Sequence, residues 1–135
     1  MACVSSPNEP SQHSRADSKA CGSASINERE LCTTLASSAE SYSRQMANNN
    51  FFDHKDREGR TPGDRAELAG YSARLIGENI AAGHDSVSKV VNGWLASPGH
   101  CANLMNPQFQ ELGAAYAVDP KSDAGIYWTA MFGTP

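Results

Sequence analysis

Hydrophobic and polar positions change rhythm along this chain, first at helical intervals and later at strand intervals. Leu31, Leu35, Ala39, Tyr42 and Met46 fall on one stripe at helical spacing. Asn27 and Glu30 precede most of it as an Asn-x-x-Glu capping box. Asn48-Asn49-Asn50 follow it and tolerate turn conformations. The pattern predicts a long amphipathic helix over 28–48. Thr61 then caps a short helix that has Pro62 at its first position and runs to Gly70. The alternation in "LIGENIAA" predicts a strand. Asp85 is the expected cap of the next helix, on which Val87, Val90, Val91, Trp94 and Leu95 repeat at helical spacing. Ser97-Pro98 restarts a short helix, with Ser as cap and Pro as first residue. The period then drops to two. Leu112, Ala114, Tyr116 and Val118 share a face in "ELGAAYAV", as do Ile126, Trp128, Ala130 and Phe132 in "GIYWTAMFG". "DPKSDAG" between them is a hairpin connection. Helices come first and strands cluster late, which is an α+β pattern rather than alternating βαβ units.

Residues 1–24 break from this order. They are rich in Ser, Pro, Asn and charge, lack periodicity and read as a polar tail ahead of one domain over 25–135. The chain's 135 residues suit a single domain, which buries roughly 65–70% of its unfolded surface. Net charge is −4 and no basic run stands out, so nucleic acid is not an expected partner. No apolar stretch reaches the ~18 residues of a membrane span. Met1-Ala2-Cys3 leads straight into polar sequence, so no signal peptide is expected here. Cys3, Cys21, Cys32 and Cys101 form an even set without a Cys-x-x-Cys pair, which argues against a zinc finger. They are either buried thiols of a cytosolic protein or the disulfides of a mature exported one, and four cysteines allow three pairings.

Three side chains could carry chemistry. His54 follows the aromatic pair Phe51-Phe52. Glu78 alternates in phase with Ile76 and Ile80, so a regular strand puts a carboxylate on an apolar face, where it needs a partner. His100 is the third residue of the helix that Ser97 begins, and the positive helix end disfavours imidazolium. Two neutral imidazoles and a carboxylate match a His₂Glu zinc set. The bland alternative is that each is satisfied locally. Cys101 beside His100 suggests a thiol nucleophile at first sight. Adjacent helical residues point about 100° apart, so a structural disulfide is the expected fate of Cys101.

Six segments in order, "NNNFFDH", "GRTPGDRAELAGY", "GENIAAG", "GWLASPGHCANLMNP", "ELGAAYAV" and "YWTAMFG", resemble the CAP superfamily of cysteine-rich secretory proteins, venom antigens and plant pathogenesis-related proteins. The likeness covers about residues 27–133 and is closer to the short bacterial SCP-domain members. It implies a three-layer α-β-α sandwich with a small antiparallel sheet. It also implies a cleft holding two histidines and acidic residues, which in some members carries a divalent metal, often zinc. His54 matches the first family histidine, Glu78 the first glutamate and His100 the second histidine. The second glutamate of many eukaryotic members falls on Ser97, so the four-residue site is incomplete.

The resemblance further implies a disulfide between Cys21 and Cys101, since Cys21-Gly22 is similar to a Cys-Gly found before the first helix in bacterial relatives. Cys3 is then either a lipid-anchored cysteine or the partner of Cys32. The function expected is a secreted or cell-envelope binding module, acting as a monomer, whose cleft takes a divalent metal such as Zn²⁺ or a small apolar or envelope-derived lipid ligand. The rivals are a metal-assisted, peptidase-like hydrolase and a structural or adhesive domain with a vestigial cleft.

Overall fold

The long apolar stripe folds as expected. A computed structural model describes residues 26–135, with side chains from residue 33 onward. Helix α1 spans Ile26–Asn49, and Leu35, Ala39, Tyr42 and Met46 on its stripe are all fully buried. Asn50 ends it at φ 51°, the left-handed conformation that asparagine tolerates. Helix α2, Pro62–Leu68, begins with a complete capping box between Thr61 and Asp64 and has Pro62 in its first turn. Strand β1 is Leu75–Ala82, helix α3 Val87–Leu95 and helix α4 Pro98–Met105, followed by β2, Glu111–Val118, and β3, Ile126–Thr134.

The sheet order is β1-β3-β2, antiparallel throughout, so β3 is central and β1 is an edge. β3 is buried along almost its whole length, which explains its nearly unbroken apolar sequence. Helices cover both faces in a three-layer α-β-α sandwich. One face packs Leu35, Ala39, Ala66, Tyr71 and Met131 together, and Tyr42, Met46, Ile80 and Tyr127 continue it. On the other face Val90 and Trp94 of α3 meet Ala81, Trp128, Ala130 and Phe132. Trp94 and Trp128 are 5% and 9% exposed, as their periodic positions require. A Cβ at Gly113 would sit 2.2 Å from the backbone nitrogen of Ala36. Only glycine lets α1 lie this close to β2.

Two expectations change. Ser86, not Asp85, caps α3: its side chain accepts from the Lys89 N–H. Asp85 lies one residue outside and pairs with Lys89 at 2.8 Å instead. Ser97 holds the cap position of α4 but makes no side-chain cap bond. The shared face of β2 is also less covered than that of β3. Tyr116 and Val118 are 56% and 59% exposed. The 1–24 tail, with Cys3, Cys21 and His13, lies outside the described residues, as do the side chains of Asn27, Glu30, Leu31 and Cys32.

Candidate functional site

Glu78 is the starting point. In the register of β1 with β3 it lies opposite Met131, on the face that carries Ile76 and Ile80. Its side chain is 1% exposed, and the cation it needs is Arg65 of α2, itself 5% exposed. Arg65 Nη1 donates to Glu78 Oε2 at 2.8 Å and Nη2 donates to Oε1 at 3.3 Å, a fork that engages both oxygens. The guanidinium lies 3.3 Å from the ring centroid of Tyr42, which supports it from below as a cation–π partner. Arg65 Nη2 also donates to the His54 carbonyl at 2.5 Å.

This last bond places His54. The loop after α1 is pinned twice, because the Tyr42 hydroxyl donates to the carbonyl of Asp53. His54 Nδ1 then lies 2.9 Å from Glu78 Oε1, with the imidazole half-exposed. The bond to Glu78 raises the His54 pKa above the usual histidine value, against the opposing effect of burial; the charges of Glu78 and Asp53 add to the rise. A ring whose Nδ1–H is held by a carboxylate turns Nε2 outward.

His100 arrives around the other side of β1. Asn79 is fully buried on the face opposite Glu78 and donates through Nδ2 to the His100 carbonyl at 3.0 Å. Asn103, one turn along α4, donates to Asn79 Oδ1 at 3.0 Å and to the Glu78 carbonyl at 3.2 Å. Asn79 thus fixes the start of α4 to the strand. The His100 pKa is lowered, first by burial and then by the charge on His54. The direction is that of the sequence expectation, and burial is its first cause.

The structure therefore brings His54 and Glu78 into direct contact, while His100 is linked to them only through the charge of His54, the second cause of its lowered pKa. Among the described residues no three His, Cys, Asp or Glu side chains gather in metal-binding geometry. Glu78 fits the part of third ligand poorly, because Arg65 and His54 already take both its oxygens. The donor set that remains is the two imidazoles. Cys101 is fully buried and is not a free cysteine, while its expected partner Cys21 lies outside the described residues.

Sequence reasoning did not single out Arg65, Asn79 or Asn103, and it read Tyr42 only as core. Their signals were present. A carboxylate on an apolar strand face demands a cation, and Arg65 adjoins Ala66 on the buried side of α2. Asn79 interrupts the opposite face as Glu78 interrupts its own.

The comparisons with known proteins agree with this architecture. The model of the cysteine-rich secretory protein family, CAP, matches residues 23–132. Protein YkwD of Bacillus subtilis is 36% identical over 103 residues, covering 76% of this chain and 38% of that protein. Membrane protein YlbC of the same organism is 34% identical over 91 residues, covering 67% of this chain and 24% of its own length. The chain thus spans well under half of each of these curated relatives. A solved extracellular protein containing an SCP domain, from Bacillus anthracis, aligns with TM-score 0.66 and 35% identity, over 76% of this chain and 32% of that one. An outer surface protein of Borrelia burgdorferi aligns with TM-score 0.68 over 96% of both chains at 24% identity, a likeness of fold.

Proposed function

The chain belongs to the cysteine-rich secretory protein (CAP) family, and from that premise we propose that it is an extracellular or cell-envelope binding domain whose cleft is built on His54, Glu78 and His100. The division of labour we assign is unequal. Glu78 orients: it holds Nδ1 of His54 while Arg65 neutralises it. His54 Nε2 and the His100 ring are the groups offered to a ligand. For a divalent ion such as Zn²⁺ the protein would supply two imidazoles, with water completing the shell and Glu78 one bond behind the metal.

The observation that carries this reading is the Arg65–Glu78–His54 chain of bonds, which spends a buried ion pair on fixing one half-exposed imidazole. Location rests on kinship with proteins described as extracellular or outer-surface; among the described residues no helix is long and apolar enough to cross a membrane. The Cys21–Cys101 bridge belongs to the same proposal. It would close a long loop and contribute roughly 4 kcal/mol in the chain-entropy model. A small apolar or envelope-derived ligand is the alternative occupant of the cleft.

Zinc calorimetry on the wild type, His54→Ala and His100→Ala tests the reading. Each substitution should weaken binding strongly, and a double variant that binds zinc as well as the wild type would place the metal elsewhere. Non-reducing peptide mapping tests the bridge, and a Cys101–Cys32 pair would overturn it.

A further inference from the structure

On the sheet face opposite Glu78, large and small residues pair in register. Tyr116 lies opposite Trp128, Ala114 opposite Ala130 and Leu112 opposite Phe132. Cross-strand partners stand side by side on one face. Two methyl groups therefore sit between two pairs of large side chains, and the sheet surface dips there. The Tyr116 and Trp128 rings close one end of the dip, with centroids 5.0 Å apart. Val90, Val91 and Trp94 of α3 roof it. A cavity of about 220 Å³ remains between helix and sheet.

The polar side chains around it are engaged elsewhere. Trp94 Nε1 donates to the Ile80 carbonyl at 3.0 Å and Trp128 Nε1 donates to the His84 carbonyl at 2.7 Å. The Thr129 hydroxyl shares a 2.7 Å hydrogen bond with the Ser43 hydroxyl on the other face. Among the described lining residues only Tyr116 brings another polar side chain. Water held inside a protein needs about two to four polar partners, so a space of this kind favours an apolar guest. Exposure marks the way in. Val87 and Tyr116 are 61% and 56% exposed, Ala114 is exposed as well, and all three line the cavity.

We infer that this cavity is a binding pocket for a compact, uncharged apolar molecule, a site apart from the His54–His100 cleft. Among the described residues, none from α2, β1 or the His54 loop lines it. Volume sets the size of the guest. A cavity of about 150 Å³ takes benzene, so one of about 220 Å³ suits roughly nine carbons, as in an alkylbenzene or a similar single-ring hydrocarbon. The wall sets its charge. Among the described lining residues none is charged, so a carboxylate or ammonium would lose its water without gaining a partner. Nor does so small a space supply the ~1,000 Å² that a stable contact with a second protein chain buries. The sequence encodes the pocket through the small pair Ala114 and Ala130, set between larger neighbours under a helix too straight to fill the gap.

Trp94 and Trp128 are the chain's two tryptophans, so tryptophan emission reports on the pocket directly. Propylbenzene titrated into the full chain should change that emission and saturate. Methyl signals of Val90, Val91 and Ala130 should move with the same affinity, while those of Ala39 and Met46, on the α1 face, stay in place. Ala114→Leu, which fills the floor from an edge strand, should weaken binding by about tenfold or more. Zinc at saturation should leave the propylbenzene affinity unchanged. A response that never saturates, methyl shifts at Ala39 and Met46 instead of Val90 and Val91, or a folded Ala114→Leu variant that binds as the wild type does, each overturns the pocket. Affinity that climbs steadily from propylbenzene to dodecylbenzene would mean an open groove, and emission that changes with protein concentration alone would mean a second copy on this face. Propylbenzene displaced by zinc would belong to the His54–His100 cleft. Any of these three outcomes also sinks the assignment.

Discussion

Glu78 and Asn79 are neighbours in sequence and face opposite sides of one strand, and each serves one histidine. Glu78 is charged, paired with Arg65, and grips the His54 side chain. Asn79 is neutral, bonded to Asn103, and grips only the His100 backbone. The consequence is an asymmetric pair of imidazoles. One is held by its ring and pushed toward the protonated form; the other is held by its main chain and pushed toward the neutral form. A carboxylate tunes and orients, whereas an amide positions without changing charge.

The largest way to break this comparison is Glu78→Ala. It leaves Arg65 buried and unpaired, and removal of one partner from a buried ion pair costs about 3–5 kcal/mol. Urea unfolding should register that loss, and one below about 1 kcal/mol would mean the guanidinium finds water. Asn79→Ala should cost less, about 1–3 kcal/mol, by stranding a carbonyl and an amide rather than a charge. A loss equal to that of Glu78→Ala would erase the distinction between the faces. Trp94→Phe keeps most of the apolar packing and removes the bond to the Ile80 carbonyl. It should cost about 1 kcal/mol in the same assay.

The smallest effect is the most diagnostic. The folded pKa of His54 lies above the ordinary histidine value, so its stabilising contribution is full below that value and is lost as pH rises through the raised pKa. The folded pKa of His100 lies below the ordinary value, so its contribution is full above that value and is lost as pH falls toward the lowered pKa. The two together make the histidine contribution greatest near about pH 6.5, the unperturbed histidine value. ¹H–¹⁵N titration of the rings should show His54 titrating above His100. In Glu78→Gln the His54 midpoint should fall while His100 keeps a lowered one. Coincident midpoints in the wild type would show that the two rings share one environment.

How much of this was legible beforehand follows from the range of each interaction. The stripe of α1, the Thr61 cap with Pro62, the alternation of β1 and β3 and the burial of both tryptophans are local or periodic properties, and the sequence carries them directly. The cap of α3 was misplaced by one residue because Asp85 and Ser86 are both competent caps. Which one acts depends on backbone direction out of β1, and Asp85 has Lys89 as another partner. The exposure of Tyr116 and Val118 was not legible, because a period of two says which residues share a face and not whether a helix covers it.

By itself the sequence determined that a carboxylate would be buried at residue 78, that it would need a partner, and that two histidines would flank it at a distance along the chain. The tertiary structure decided that Arg65 is that partner, that Glu78 bonds to the His54 ring, and that burial is the first cause lowering the His100 pKa. The physical reason is that burial creates a demand any nearby cation could meet, while only the packing of α2 on β1 and of α4 around its edge selects the groups that meet it. The same packing brought the Asn103 and Trp94 side chains onto the Glu78 and Ile80 carbonyls, contacts that no side-chain pattern encodes.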